Sequence, residues 1–167
     1  MSREHACRIQ EHPVFNTLTR LRPDEAQKAT FLIKTIETEY LDQDKGILKH
    51  YQYLNVFLRQ TKNAYISIVN LDILDMAKGT PNKEHYYPSL HKRIAITNNF
   101  DMNMYFCRKV FATFLRNNHI KPEIIDLLHG RISSSVFVNH YYRPDINDTI
   151  TNKIKPLLAS LYDKIAN

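Results

Sequence analysis

Three residues in the last third of the chain, Arg108, Arg131 and Tyr141, are of the types that can carry out phosphoryl transfer on DNA without a metal. They sit in Tyr105-Phe106-Cys107-Arg108, in Leu127-Leu128-His129-Gly130-Arg131, and in Val138-Asn139-His140-Tyr141-Tyr142-Arg143-Pro144. Arginine carries a permanent charge and a planar fork of donors that fits phosphate oxygens. A tyrosine phenol can become a covalent nucleophile. Cleaving a phosphodiester this way needs positive charge at the nonbridging oxygens, a proton for the leaving oxygen and a nucleophile in line. Arginines meet the first need and a lysine or histidine the second. Tyrosine meets the third and conserves the bond energy in a phosphotyrosine link.

These residues need elements to hold them. The pattern predicts a short helix over residues 13–20, with Val14, Leu18 and Leu21 at helical spacing. A second helix opens near Pro23, where proline suits the first turn and Asp24 and Glu25 suit the positive end. It runs to about Tyr40 with Ala26, Ala29, Ile33 and Ile36 as its apolar stripe, and residues 42–46 form a turn cluster. Tyr53–Leu58 and Ala64–Val69 are rich in β-branched and aromatic residues and read as two strands joined by a hairpin connection at Arg59–Asn63. Gly79-Thr80-Pro81-Asn82 ends a short helix. Residues 101–118 are strongly helical, residues 122–129 form a short helix closed by Gly130, and residues 145–165 form a last helix that Pro156 kinks or splits. The expected fold class is α+β, mostly helical, with one small antiparallel sheet.

At 167 residues, 43% hydrophobic and 24% charged, the chain reads as a single globular domain spanning residues 1–167. The formal net charge of +6 favours a polyanionic partner. Lys34, Lys45, Lys49 and Lys109 read as a basic surface able to touch DNA phosphates. Cys7 and Cys107 match no zinc spacing and fit a reducing, intracellular setting. There is no apolar run of membrane-spanning length, and the first ten residues lack the apolar segment of an export signal.

Upstream, Thr19-Arg20-Leu21-Arg22-Pro23-Asp24-Glu25 resembles the Thr-Gly-Leu-Arg-x-x-Glu box of tyrosine recombinases. Tyr105-x-x-Arg108 resembles their His-x-x-Arg box, and Leu127–Arg131 resembles their Leu-Leu-Gly-His box, with Tyr141 following at about the family distance. The ordered set spans residues 19–142, most of the chain. The likeness is closest to archaeal integrases of the fusellovirus type, through Ile124–Arg131 and Ser135–Tyr141. The resemblance implies the catalytic-domain fold of that family. It implies that Arg22, Arg108 and Arg131 hold the scissile phosphate, that Lys62 protonates the 5′-oxygen leaving group, and that Tyr141 forms a 3′-phosphotyrosine. Lys78, Lys83 and Lys92 compete for the lysine role and Tyr142 for the nucleophile. Glu25 would orient Arg22, Tyr105 would stand near the phosphate where the family more often has histidine, and His129 and His140 would lie close to the substrate.

The chain departs from the family pattern in that Arg20 stands at the glycine position of the first box. Arg131 stands where histidine or tryptophan is usual, as in the fusellovirus-type members. The step from Arg131 to Tyr141 is ten residues, one more than usual, which implies a bulge after Ser135. The implied partner is double-stranded DNA carrying attachment sites, bound by a homotetramer that is monomeric alone, with no metal or other cofactor. The N-terminal DNA-gripping domain of the family is expected to be absent. The same residues also fit type IB topoisomerase-like relaxation, or a non-catalytic DNA-binding protein of the same fold.

Overall fold

Pro23 begins the longest helix among the described residues because its ring presets the helical φ and its missing N–H would have been unpaired there in any case. The computed structural model describes residues 13–57, 63–81, 92, 96, 104–131 and 148–166. Within them, α1 covers residues 13–19 and α2 covers Pro23–Tyr40. Val14, Phe15 and Leu18 of α1 are buried, together with Leu21 after it and Ala26, Ala29 and Ile33 of α2. Ile36 leaves helical geometry (φ −141°, ψ 41°), so the last turn of α2 bends towards the sheet.

The sheet has three short antiparallel strands in the order β1 (Leu41–Asp42), β2 (Ile47–Leu48) and β3 (Ser67–Ile68). Leu41 pairs with Leu48, and Ile47 with Ile68. The tight hairpin is the one at residues 43–46. Gly46 closes it at φ 58°, where an added Cβ would lie 2.8 Å from the Val69 carbonyl oxygen.

The expected strand over Tyr53–Leu58 is a correction: Leu54–Phe57 form a one-turn helix, α3, behind a 3₁₀ turn at His50–Gln52. An apolar, aromatic run fits a buried helical turn as well as a strand. Here the helical turn drives Phe57 against the rings of Tyr40 and His50, at centroid separations of 6.2 and 4.3 Å. Of the expected strand over Ala64–Val69, only Ser67 and Ile68 pair. The two segments are still tied together, because Ala64 N–H donates to the Phe57 carbonyl at 3.0 Å and Tyr51 N–H to that of Tyr65 at 3.0 Å.

Helix α4 (Leu71–Gly79) starts on Asn70, whose side-chain oxygen accepts the Ile73 N–H at 3.0 Å. It packs along α2, and Lys78 pairs with Glu37 across the seam at 2.9 Å. Helices α5 (Met104–Asn117) and α6 (Pro122–Leu128) form a helical hairpin whose turn includes His119 at φ 61°. Residues Thr149–Ile154 form a π-helical stretch that runs into α7 (Lys155–Ala166). Pro156 gives the reason for this local form. Its ring crowds the carbonyl four residues back, and the widened turn is marked by Lys155 N–H bonding to the Ile150 carbonyl. The stripe Ile150, Ile154, Leu158 and Leu161 joins the same core as α1, α2, α4, α5 and α6. The molecule is therefore mostly helical with a small antiparallel sheet, as the sequence predicts. Among the described residues no helix is long and apolar enough to cross a membrane.

Candidate active site

The link between α1 and α2 carries two of the relevant arginines, and its shape is fixed from below. Thr19 donates its hydroxyl to the Phe15 carbonyl at 2.7 Å. The Thr19 carbonyl accepts the Ser67 hydroxyl at 3.0 Å, and Ser67 lies 2.7 Å from His50 Nε2. With the serine proton given to Thr19, His50 must carry its hydrogen on Nε2 and accept the Tyr40 hydroxyl at Nδ1. Burial first, and the Arg20 charge second, hold His50 well below its ordinary pKa, so this chain of bonds is neutral.

Arg20 follows at φ 52°, the left-handed conformation that glycine adopts most easily. This is the position where the recombinase box has glycine. Arg22 stands at the N-cap of α2 in extended geometry. The Glu25 carboxylate accepts the Arg22 backbone N–H at 2.9 Å and pairs with its guanidinium at 3.3 Å. Glu25 is buried, so it holds the arginine from the core side.

Arg108 projects from the middle of α5 and donates from Nη2 to the His129 carbonyl at 3.2 Å. His129 and Gly130 form the turn after α6, and Gly130 (φ 67°) leaves no room for a side chain: an added Cβ would fall 1.2 Å from the Asn63 carbonyl oxygen. The residue next to Lys62 in sequence is thus pressed against the turn that precedes Arg131.

These segments meet around one narrow cleft, lined by Arg20, Arg22, Glu25, Asn63, Arg108 and His129 among others. Among the described residues, three guanidinium groups and one carboxylate line it. Arg20 is 4% exposed. Its Nε donates to the Leu128 carbonyl, its Nη2 donates to the Ile66 carbonyl, and its guanidinium lies 5.3 Å from the Phe111 ring centroid. Burial, and then the Arg108 charge, push its pKa down to about 9, so it remains charged at neutral pH. Burial, followed by the charges of Arg20, Arg108 and Arg131, pushes His129 down to about 3. His129 is therefore a neutral imidazole at neutral pH. As a preorganised set of donors the cleft suits an oxyanion.

The sequence-predicted residues fall in three groups. Arg22, Arg108, Glu25 and His129 come together. Arg131 does not line the cleft; its side chain is 67% exposed and pairs with Asp126 at 3.2 Å. Lys62, Tyr141 and His140 lie outside the described residues, as does the expected bulge after Ser135. Tyr105 belongs to the first turn of α5, with its side chain outside the described residues.

The sequence reading missed two residues. Arg20 registered only as a departure at a glycine position. His50 gave no signal, because its importance comes from partners 10 and 17 residues away. Among the described residues no cluster of three or more His, Cys, Asp or Glu could hold a metal ion. Compared with known proteins, the chain matches no family model, no curated protein and no solved structure.

Proposed function

We propose that the chain is the catalytic domain of a tyrosine-type site-specific recombinase, cleaving and rejoining DNA strands through a 3′-phosphotyrosine. One observation carries this reading. Arg22, Arg108 and the His129–Gly130 turn come from three separated boxes, yet they surround one positively charged cleft. The left-handed backbone at the glycine position of the first box, and Asn63 packed on Gly130, support it further.

In this mechanism Arg22 and Arg108 bind the nonbridging oxygens of the scissile phosphate and stabilise charge as it builds there. Glu25 keeps Arg22 extended towards the DNA. Arg131 exchanges Asp126 for a phosphate oxygen once DNA is bound. Tyr141 gives its phenolic proton to solvent, and its oxygen attacks phosphorus in line and bonds to it as the bond to the 5′-oxygen breaks. Lys62 delivers a proton to that leaving oxygen. Rejoining runs the same steps backwards, with the free 5′-hydroxyl as nucleophile and tyrosine as leaving group. Strand exchange between two duplexes requires four such protomers on the DNA. Because positive charge on phosphate supplies the affinity, binding weakens steeply with salt.

The test is a pool of nicked duplexes of random sequence, in which the short strand beyond the cleavage point diffuses away and traps the adduct. The expected result is a nucleotide mass on Tyr141 and none on the Tyr141→Phe variant. An adduct that survives Tyr141→Phe, or none with the unaltered protein, defeats the mechanism. Efficient relaxation of supercoiled plasmids regardless of sequence would move the reading to a type IB topoisomerase-like enzyme.

A further inference from the structure

Arg20 is the least expected charge in the molecule. A buried guanidinium normally sits against a carboxylate, because an uncompensated buried charge is costly. Among the described residues no carboxylate pairs with Arg20, and its two backbone bonds use Nε and Nη2 only. Its Nη1 is buried and has no partner among the described residues. His129 Nε2, on a residue lining the same cleft, is also buried with no partner among the described residues. Two buried donors without partners, in a cleft where described guanidinium groups outnumber carboxylates, are suited to an acceptor. The enclosed space is narrow, of the order of one water or one phosphoryl oxygen.

We infer that Arg20 is a further phosphate-positioning residue, which with His129 takes one nonbridging oxygen of a bound phosphodiester at the inner end of the cleft. The glycine of the recombinase box could not do this. The left-handed backbone that a glycine would tolerate is used here to turn an arginine inward, where the Phe111 ring and two carbonyls fix its plane. Arg22 and Arg108 then share the other nonbridging oxygen. The inference rests on the strand-transfer reading only for the identity of the anion; an oxyanion site of this geometry stands without it.

The experiment titrates dimethyl phosphate, a diester, and inorganic phosphate into the full chain labelled with ¹⁵N on arginine and histidine. The expected result is a saturable shift of the Arg20 guanidinium and His129 imidazole signals with the diester. Arg20→Gly, which suits the φ of 52°, weakens diester binding by about 10-fold, the loss of one charge-assisted hydrogen bond. Arg20→Lys recovers part of that loss by restoring the charge. If both signals stay fixed while those of Arg22 and Arg108 move, the inner site does not exist. The same holds if Arg20→Gly lowers the melting temperature but leaves diester affinity intact, because Arg20 is then only a fold staple. Shifts with inorganic phosphate alone overturn the assignment to a diester. Should Arg20→Gly fail to fold, the signals of the unaltered chain decide. A diester shift at Arg20 and His129 with no adduct on nicked DNA leaves this site in place and removes the strand-transfer reading.

Discussion

Among the described residues two histidines are buried, His50 and His129, and they meet the same solvation physics but differ in how their ring nitrogens are matched. Both are buried, and burial is the first cause holding each in its neutral form. His50 has both ring nitrogens bonded, to Tyr40 and Ser67, inside a wall of aromatic rings. His129 packs on Phe111 at 5.7 Å, yet its Nε2 is left unmatched beside a cleft of arginines. Burial therefore does not mark a histidine as structural or functional. The balance of donors and acceptors around the ring does. A matched ring holds elements together, and an unmatched one marks the proposed acceptor site.

The largest effect expected from breaking this comparison is on the matched side. His50→Ala removes the ring, leaves the Tyr40 hydroxyl without its acceptor and Ser67 without its donor, and opens a cavity among Tyr40, Tyr53 and Phe57. Together these should cost about 4 kcal/mol of stability. Urea melts of the variant read it directly. Because Ser67 in turn holds the Thr19 carbonyl, the loss should also loosen the Arg20 turn, seen as a weaker response to diester. A cost below about 1 kcal/mol would mean that the bonded chain contributes little.

Acid tests both rings at once. Each has a folded-state pKa below its unfolded value, so below the ordinary value of 6.5 the unfolded chain binds protons that the folded chain refuses. Stability is then full above pH 6.5 and falls as pH drops towards the folded-state values. With His129 down at about 3, pH 5 removes about 2 kcal/mol through that residue alone. The prediction is a melting temperature that declines steadily from pH 7 to 5. The slope should shrink in His129→Phe and in the presence of a bound diester, whose negative charge makes protonation of the imidazole less unfavourable. An unchanged slope in His129→Phe would remove the assignment of this residue to a neutral buried state.

A smaller effect separates the two sites by sign. His129→Phe replaces an unmatched ring with one of similar shape and no polar atoms, so it should leave stability unchanged or raise it by up to about 1 kcal/mol. It should at the same time abolish the diester response of Arg20. His50→Phe, by contrast, strands two polar partners and should destabilise. If both phenylalanine variants destabilise alike, the distinction between the matched and the unmatched ring is wrong.

How far the sequence could foresee this divides along the same line. Helix α2 was legible to its ends, because Pro23, the acidic first turn and the spacing of Ala26, Ala29 and Ile33 all give the same message locally. Gly130 was legible as a helix stop, though not the Asn63 carbonyl that makes glycine obligatory there. Residues 54–57 were not legible, since β-branched and aromatic composition does not distinguish a buried turn of helix from a strand when Tyr40 and His50 supply the decisive contacts. Arg108 stood out by residue type, whereas Arg22 and Glu25 entered only through the resemblance of their box, and the structure brings the three together. Arg20 could not be picked out, because nothing in its neighbours announces that a loop arginine will be turned inward onto Leu128 and Ile66.

Arg131 gives the smallest stability effect and the sharpest separation of roles. Its pair with Asp126 is exposed on both sides, and such pairs contribute less than about 0.5 kcal/mol once side-chain entropy and solvent screening are counted. Arg131→Ala should therefore melt within error of the unaltered chain, and the inner diester site at Arg20 and His129 should respond as before. Adduct formation on nicked DNA should nevertheless fall about 100-fold or more, as expected when one donor to a developing phosphoryl charge is lost. Asp126→Asn offers the complementary case. It frees Arg131 from its surface partner, so adduct formation should hold or rise while stability barely changes. If Arg131→Ala cleaves at the normal rate, the surface pair with Asp126 is its final position, and the arginines already in the cleft account for the charge that the phosphate meets.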